Sequence, residues 1–449
     1  MKVRIIIILI ASIGFCKAQN RVITFEEAVK IALKNGVQLN QQRNNLENSQ
    51  MQKTSAWLGF GPTLSANSSF NQVNGNFFNQ NEGKVVNGIF NQLSGSINAG
   101  INIFSGFNQV NRVKQFNHEL DAQLHFVERT QQDLLNTVAT QYLQVLLDQE
   151  LLRIANENWE ALKKQLEQVT EQVKVGARSP VEEYNQDSQT KAAEIRALQA
   201  EINLINDKAL LTQTLLLDPV EVYDVAKPLW DINIIGQNEL EIQNALQTAL
   251  KSRGDYLRAE QNENSSKYAM KASRGNMIPS LFGFWNMNTF YNKLDGDNTA
   301  AAFDQQVKTD NLRKVYGVQL SIPILGGNSI FQNRSAYVQQ RTTFYNNQII
   351  RKNVEVQVKA DVIRAHQNFK LVKRTFTVSL AQLQAAETAF SLETERYNLG
   401  VTNFVDFINA NRVFVQAQTD KAQAEYRLLF QKVLLDYAVG TLKVEDIQP

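Results

Sequence analysis

The side chains best placed to do chemistry are a few carboxylates at the starts of helices. Glu182 and Glu183 follow the compact turn Gly176-Ala177-Arg178-Ser179-Pro180, and Asp406 closes the stretch Tyr397-Asn398-Leu399-Gly400-Val401-Thr402-Asn403-Phe404-Val405-Asp406. Acids in a first helical turn favour the helix dipole, so these residues are either ordinary dipole partners or fixed charges available to a passing ion. Catalytic constellations are missing. The chain has neither a G-x-x-x-x-G-K-[ST] phosphate cradle nor a G-x-S-x-G nucleophile elbow, so it is expected to be no enzyme and to carry no cofactor. His118 and His125 stand seven apart beside Glu119 and Asp121, but a structural zinc site wants four ligands at tighter spacing. They read as packed or wetted helix residues, and His366 stands alone in a helical stretch. Forty-six Lys and Arg oppose 44 Asp and Glu, which gives no basic excess for nucleic acid.

The first residues set the compartment. Lys2 and Arg4 precede an apolar run from Ile5 to Phe15, which reads as a secretory signal peptide over residues 1–18 with cleavage before Gln19. Phe15 before Cys16 argues against a lipid-modified cysteine, and cleavage would remove the single cysteine of the chain. Loss of Lys2, Arg4 and Lys17 takes the formal charge from +2 to −1. No later stretch approaches the roughly 20 apolar residues of a spanning helix, so the exported chain is soluble or inserts as strands.

The chain also repeats itself. Ala28-Val29-Lys30-Ile31-Ala32-Leu33-Lys34 matches Ala245-Leu246-Gln247-Thr248-Ala249-Leu250-Lys251, and Pro62-Thr63-Leu64 matches Pro279-Ser280-Leu281. Val175-Gly176 pairs with Leu399-Gly400. The expected organisation is a first repeat over 19–217, a Pro-containing linker over 218–237, a second repeat over 238–440 and a tail over 441–449. In each repeat the hydrophobic period switches from helix to strand and back. Strict alternation from Leu93 to Ile103, and from Tyr316 to Ile324, predicts strands at about 91–104 and 314–325. Weaker alternation predicts partners at about 63–73 and 280–291, with Asn-, Gly- and Asp-rich connections between them.

The other segments read as helices. Leu152, Ala155, Trp159, Leu162, Leu166, Val169 and Val173 keep a heptad rhythm. Ile195, Leu198, Ile202, Ile205, Ala209, Thr212 and Leu216 do the same beyond the turn, which predicts an antiparallel coiled-coil hairpin. The helix entering it, if it begins near Asn108, spans on the order of 100 Å at 1.5 Å per residue. Such a rod needs lateral partners. Strands of about ten residues are long enough to cross a bilayer when tilted, yet four cannot close a barrel, which needs about eight. Aromatics near the strand ends, Trp285, Phe290, Tyr291 and Tyr316 among them, suit an interfacial girdle. By pattern alone an ordinary soluble sheet stays open as an alternative.

The export signal, the duplication, the order helix, strand, strand, long helix, helix, and the turn around Gly400 together resemble the TolC-type outer membrane efflux proteins over nearly the whole mature chain. The resemblance implies a mainly α chain with transmembrane β structure. Three copies would form a twelve-stranded β-barrel in outer membrane lipid above a periplasmic α-barrel of long coiled coils. It implies an efflux or secretion conduit that works with a periplasmic adaptor and an inner-membrane efflux pump or ABC transporter. The family's constriction carries two aspartates three residues apart; Asp406 matches the first and Asn409 stands at the second. The family's latch uses an acid on the first hairpin and a tyrosine and an arginine on the second. Glu182 and Tyr397 match two of these, Thr402 stands in the arginine's place, and Arg178 occupies the corresponding position of the other hairpin. The expectation is that Glu182 holds a weakened latch through Tyr397, with Gly176 and Gly400 making the hairpin turns.

Overall fold

The structure is a computed structural model that describes residues 21–79, 83–220, 223–227, 241–296, 300–325 and 330–442. The expected signal segment, most of the 218–237 linker and most of the 441–449 tail lie outside these residues. The order of elements is β1 Arg21–Ile23, α1 Phe25–Asn35, α2 Val37–Leu58, β2 Thr63–Asn79, β3 Lys84–Phe104, α3 Asn108–Lys174, α4 Pro180–Leu215 and β4 Tyr223–Val225 in the first part of the chain. The second part has α5 Ile242–Ser252, α6 Gly254–Gly275, β5 Ser280–Leu294, β6 Arg313–Ser321, α7 Ile330–Asn398 and α8 Phe404–Val439. No described helix is long and apolar enough to cross a membrane. Two compact units divide the chain, one of residues 1–42, 127–254 and 356–449, the other of residues 43–126 and 255–355.

The second unit holds the sheet. Its strands run antiparallel in the order β2-β3-β5-β6, so each edge strand has one neighbour within the chain. Both strands of the first hairpin exceed the expected 63–73 and 91–104, pairing without interruption from Thr63↔Gly100 to Asn79↔Lys84. Apolar alternation underestimates them because polar cross-strand pairs continue the ladder: Ser69 with Ser94 at 2.7 Å, Gln72 with Asn91 at 2.9 Å and Asn76 with Asn87 at 2.6 Å. β5 continues to Leu294 beyond the expected 291. β6 stops at Ser321, short of the expected 325, since Pro323 has no N–H to give to a ladder.

Below the strands the helices follow the same order. Gln109 of α3 bonds the Ala56 carbonyl of α2, Asn108 bonds the Ala272 carbonyl of α6 at 2.9 Å, and Asn333 of α7 bonds the Asn276 carbonyl at 2.8 Å. Gly106 has φ +61° and its Cα faces the Gly275 carbonyl so closely that a Cβ would sit 2.2 Å from that oxygen. The strand-to-helix corner therefore needs glycine on steric grounds as well as for its backbone conformation.

The first unit has the apolar core. Thr24 caps α1 by accepting from the Glu27 N–H, and Phe25, Ala28, Val29 and Ala32 turn inward. Ala28 and Ala32, and their repeat counterparts Ala245 and Ala249 on α5, are all fully buried. α5 is tied to the end of α8 through Ser252, which bonds the Val439 carbonyl at 2.7 Å. β4, inside the expected linker, pairs in parallel with β1. The buried Tyr142 hydroxyl lies between the Ile23 and Ala226 carbonyls, at 2.9 and 2.6 Å, and fixes both to α3.

One seam differs from the heptad reading. In α4 the buried positions are Gln186, Thr190, Ala193, Ala197, Leu204, Leu211 and Leu215. The aliphatic stripe is outside: Ile195 is 67% exposed and Ile202 50%, with Leu198 and Ile205 between these values. Nearer the turn, small and polar residues close the intrachain hairpin, where Gln186 and Thr190 both bond the Leu162 carbonyl, while Ile195, Leu198, Ile202 and Ile205 stay at least half exposed among the described residues.

Candidate functional site at the hairpin turns

The α3–α4 and α7–α8 hairpins turn by the same device. At the first, Gly176 has φ +73°, its N–H bonds the Val173 carbonyl and the Ala177 N–H bonds that of Gln172. At the second, Gly400 also has φ +73°, with Gly400 N–H to Tyr397 and Val401 N–H to Arg396. Both are Schellman closures, which need a left-handed residue that glycine supplies without strain.

Each following helix then starts with a side-chain cap. Ser179 accepts from the Val181 N–H at 3.3 Å with Pro180 opening α4, and Asn403 accepts from the Asp406 N–H at 3.0 Å. Glu182 and Asp406 both occupy the third helical position, where a carboxylate satisfies the helix start and its dipole. Asp406 accepts from Asn403 Nδ2 at 2.9 Å and lies 3.4 Å from Thr402 Oγ1. It is exposed, and so is Asn409 one turn on, which places both on one face of α8.

Across the hairpins the connection is made by Arg178. Its Nη1 donates to Glu182 at 2.9 Å and its Nη2 to the Tyr397 carbonyl at 3.2 Å. Its guanidinium carbon lies 4.1 Å from the centre of the Tyr397 ring, a cation–π geometry. Tyr397 is 1% exposed and stacks on Phe407 at 4.7 Å. Burial holds its hydroxyl above the usual tyrosine range, and among the described residues that hydroxyl has no hydrogen-bond partner. Arg178 thus stands between Glu182 and Tyr397, touching both. Thr402, in the turn itself, points its hydroxyl to Asp406 of the same hairpin.

Further residues were not foreseen. Behind Tyr397, Phe407, Phe390 and Phe414 form an aromatic run, with Phe390 stacked on Phe414 at 5.2 Å. Their helical spacing in α7 and α8 was a usable signal. Deeper in this unit Asn411 of α8 donates to Asn158 of α3 at 3.0 Å, a buried amide pair that joins the two repeats. On α3, Asp148 is almost fully buried; burial, with the carboxylate of Asp207 of α4 nearby, raises its carboxyl to about 7. His118 and His125 gather no metal ligands among the described residues. His118 instead bonds Gln261 at 2.7 Å and stacks on Tyr268.

A duplicated chain of paired long-helix hairpins and two strand pairs that form one open-edged sheet defines a class of bacterial outer membrane channel proteins. The sequence profile of the outer membrane efflux protein family matches residues 28–215 and 245–441, and the chain belongs to that family. Its members are transport proteins of the outer membrane rather than enzymes, and the outer membrane is where this chain resides. It is 22% identical over 321 residues to the outer membrane protein TolC of Escherichia coli, across 71% of this chain and 63% of that protein. It is 21% identical over 365 residues to the outer membrane efflux protein BepC of Brucella suis, across 79% and 74%. The match thus spans less than two thirds of the Escherichia coli relative. The CmeC outer membrane channel of Campylobacter jejuni shares the fold with a TM-score of 0.79 at 16% identity, over 94% of this chain and 88% of that one. VceC of Vibrio cholerae does so with 0.79 at 13%, over 93% and 96%.

Proposed function

We propose that three copies of this chain form a conduit that carries small molecules, or a secreted substrate, from the periplasm across the outer membrane. The observation that carries this reading is the pair of unpartnered surfaces, the open edges of β2 and β6 and the exposed aliphatic stripe of α4. An open sheet edge cannot stand in lipid, and a sheet closes only when the edges of other copies meet it. Three copies bring twelve strands, enough for a barrel. The Ile195 to Ile205 stripe then packs on the neighbouring copy's helices, as a heptad seam should.

The conduit has no energy source of its own. A periplasmic adaptor and an inner-membrane pump or ABC transporter supply it, and the hairpin turns are the periplasmic end that they reach. At that end Asp406 and Asn409 face the passage as the constriction. Replacing one of the family's two aspartates by Asn409 leaves one carboxylate per chain, which weakens both cation attraction and anion exclusion. Arg178, through Glu182 and Tyr397, holds the two hairpins of each chain together and keeps the constriction closed.

Outer-membrane fractionation with gel migration before and after heating tests the assembly. A trimer band that collapses on boiling is expected, and recovery solely in the soluble periplasm would overturn the reading. Single-channel recording of Glu182→Ala tests the latch, with open probability unchanged from the parent as the contrary result.

A further inference from the structure

We propose that the helix ends next to the sheet form a binding collar for the anionic headgroups of phospholipids in the inner leaflet of the outer membrane. The proposal rests on the barrel reading above and adds the lipid chemistry of its periplasmic rim.

The charge pattern is one-sided. Residues 48–62, 104–118, 268–279 and 322–340 flank the four strand ends on that side, and they contain no Asp or Glu. They do contain Lys53, Arg112, Lys114, Lys271, Arg274 and Arg334. Each sits within about 10 Å, along its helix, of the end that faces the strands, at 1.5 Å per residue. The hydrogen bonds among α2, α3, α6 and α7 described above keep these helix ends side by side in the order of the sheet. Five of the six side chains are exposed, Lys53 is half-buried, and none forms an ion pair with a described residue. At the opposite strand ends the signs are mixed, with Lys293, Lys308, Arg313 and Lys314 among Asp295, Asp304 and Asp310.

Two of these cations share one aromatic ring. The Lys114 and Lys271 ammonium groups lie 5.5 and 5.1 Å from the centre of the Tyr268 ring, on which His118 stacks at 5.3 Å. The ring favours each cation, and no described carboxylate pairs with either. Both ammonium groups are thus left to an anion from outside the chain, such as a phosphodiester.

Aromatics locate the interface. Trp57 and Phe60 lie 6.0 Å apart at the end of α2, and Phe104 and Phe107 lie 5.4 Å apart at the corner into α3; all four are exposed, as is Phe331 at the start of α7. Of these, Trp57 is the amphipathic ring, of the kind that gathers at headgroup depth, and the phenyl rings lie in the same band. The basic residues begin within one to three turns of this band, the distance at which a headgroup phosphate is met and a Lys or Arg stem can reach it.

The test titrates the purified full-length protein, in neutral detergent, with dioctanoyl-phosphatidylglycerol, dioctanoyl-phosphatidylcholine or inorganic phosphate, and reads bound molecules by native mass spectrometry. The anionic lipid should bind saturably, at least about tenfold more tightly than the zwitterionic one, and more weakly as salt rises. The variant Lys114→Gln, Lys271→Gln, Arg274→Gln, Arg334→Gln should lose that preference. A control with Lys293→Gln, Lys308→Gln, Arg313→Gln, Lys314→Gln should keep it. Equal binding of both lipids, equal behaviour of the two variants, or displacement by phosphate at the lipid's own concentration would overturn the proposal. So would a variant that alters ion selectivity in planar bilayers but not lipid preference, because the collar would then line the passage. Heat-modifiable migration of both variants is recorded alongside; its absence in the parent would strike the barrel reading, whereas its presence with no lipid preference strikes the collar alone.

Discussion

The two hairpin tips share a backbone and differ in nearly every side chain that packs within them. Gly176 and Gly400 turn with the same φ of +73°, Ser179 and Asn403 cap, and Glu182 and Asp406 take the same helical position. Yet the seam behind the second turn is aromatic, with Tyr397, Phe407, Phe390 and Phe414 in a run. The seam behind the first is polar: Thr170 donates to Glu183 at 3.0 Å, and Gln186 and Thr190 reach the Leu162 carbonyl. Duplication has therefore kept the turn chemistry, which the backbone demands, while the packing diverged. Arg178 joins the two kinds of seam, a polar-side cation lying on an aromatic-side ring.

Breaking the aromatic seam should have the largest effect. Phe407→Ala removes a buried ring stacked on Tyr397 and should destabilise the second tip by roughly 3–5 kcal/mol. Glu183→Ala, its equivalent on the first tip, should cost about 1 kcal/mol or less. Hydrogen exchange at residues 390–414 and 166–190 measures both, and equal protection loss at the two tips would erase the contrast.

The far ends of α4 and α8 extend the comparison. Gly440 and Leu216 close them with the same bonds, Thr441 N–H to Asp436 and Leu217 N–H to Thr212, at φ +79° and +53°. A Cβ on Gly440 would lie 3.0 Å from the Arg253 backbone. Gly440→Ala should therefore cost about 2–3 kcal/mol, more than the about 1 kcal/mol expected for Gly176→Ala, whose Cβ meets open space. Leu216→Gly should do the reverse and stabilise by up to about 1 kcal/mol, since Leu216 is exposed and strained. The heat-induced loss of the trimer band ranks all three, and a Gly176→Ala loss equal to that of Gly440→Ala would contradict the ranking.

A pH-dependent effect belongs to the first hairpin. Folded Asp148 keeps its proton up to a pH of about 7, whereas an unfolded carboxyl titrates near 4. The folded state binds more protons in that window, so stability falls as pH rises from 4 through 7. Asp148→Asn should raise thermal stability by several degrees at pH 8 and by little at pH 4. An equal gain at both would show that the buried charge is not the cause.

Much of this architecture could be read from residue order. The switch from period two to the helical period placed the strands and long helices, and alanines in matching positions disclosed a duplication that the structure shows as equally buried pairs, Ala28 with Ala245 and Ala32 with Ala249. Apolar alternation stops short of the strand ends where Asn, Gln and Ser carry the ladder, because pairing there does not need an apolar face. The buried face of α4 departs from the heptad for a related reason. Heptad reading assigns the largest side chains to the nearest partner, but Gln186, Thr190, Ala193 and Ala197 let α3 and α4 approach and leave the isoleucines outward. At the turns, Gly176 and Gly400 were legible because a left-handed residue favours glycine, while Leu216 concealed the same conformation. Arg178 was visible as an arginine four residues before Glu182; its reach to Tyr397, 219 positions away, was not.

The central claim is that Arg178, and not Thr402, spans the two hairpins. Single-channel recording of Arg178→Ala and Thr402→Ala beside the parent tests it most directly. Loss of the ring contact and two charge-assisted bonds should raise the open probability of Arg178→Ala by roughly tenfold or more, with Thr402→Ala close to the parent. Parent-like closure in Arg178→Ala, or equal opening in the two variants, would contradict it.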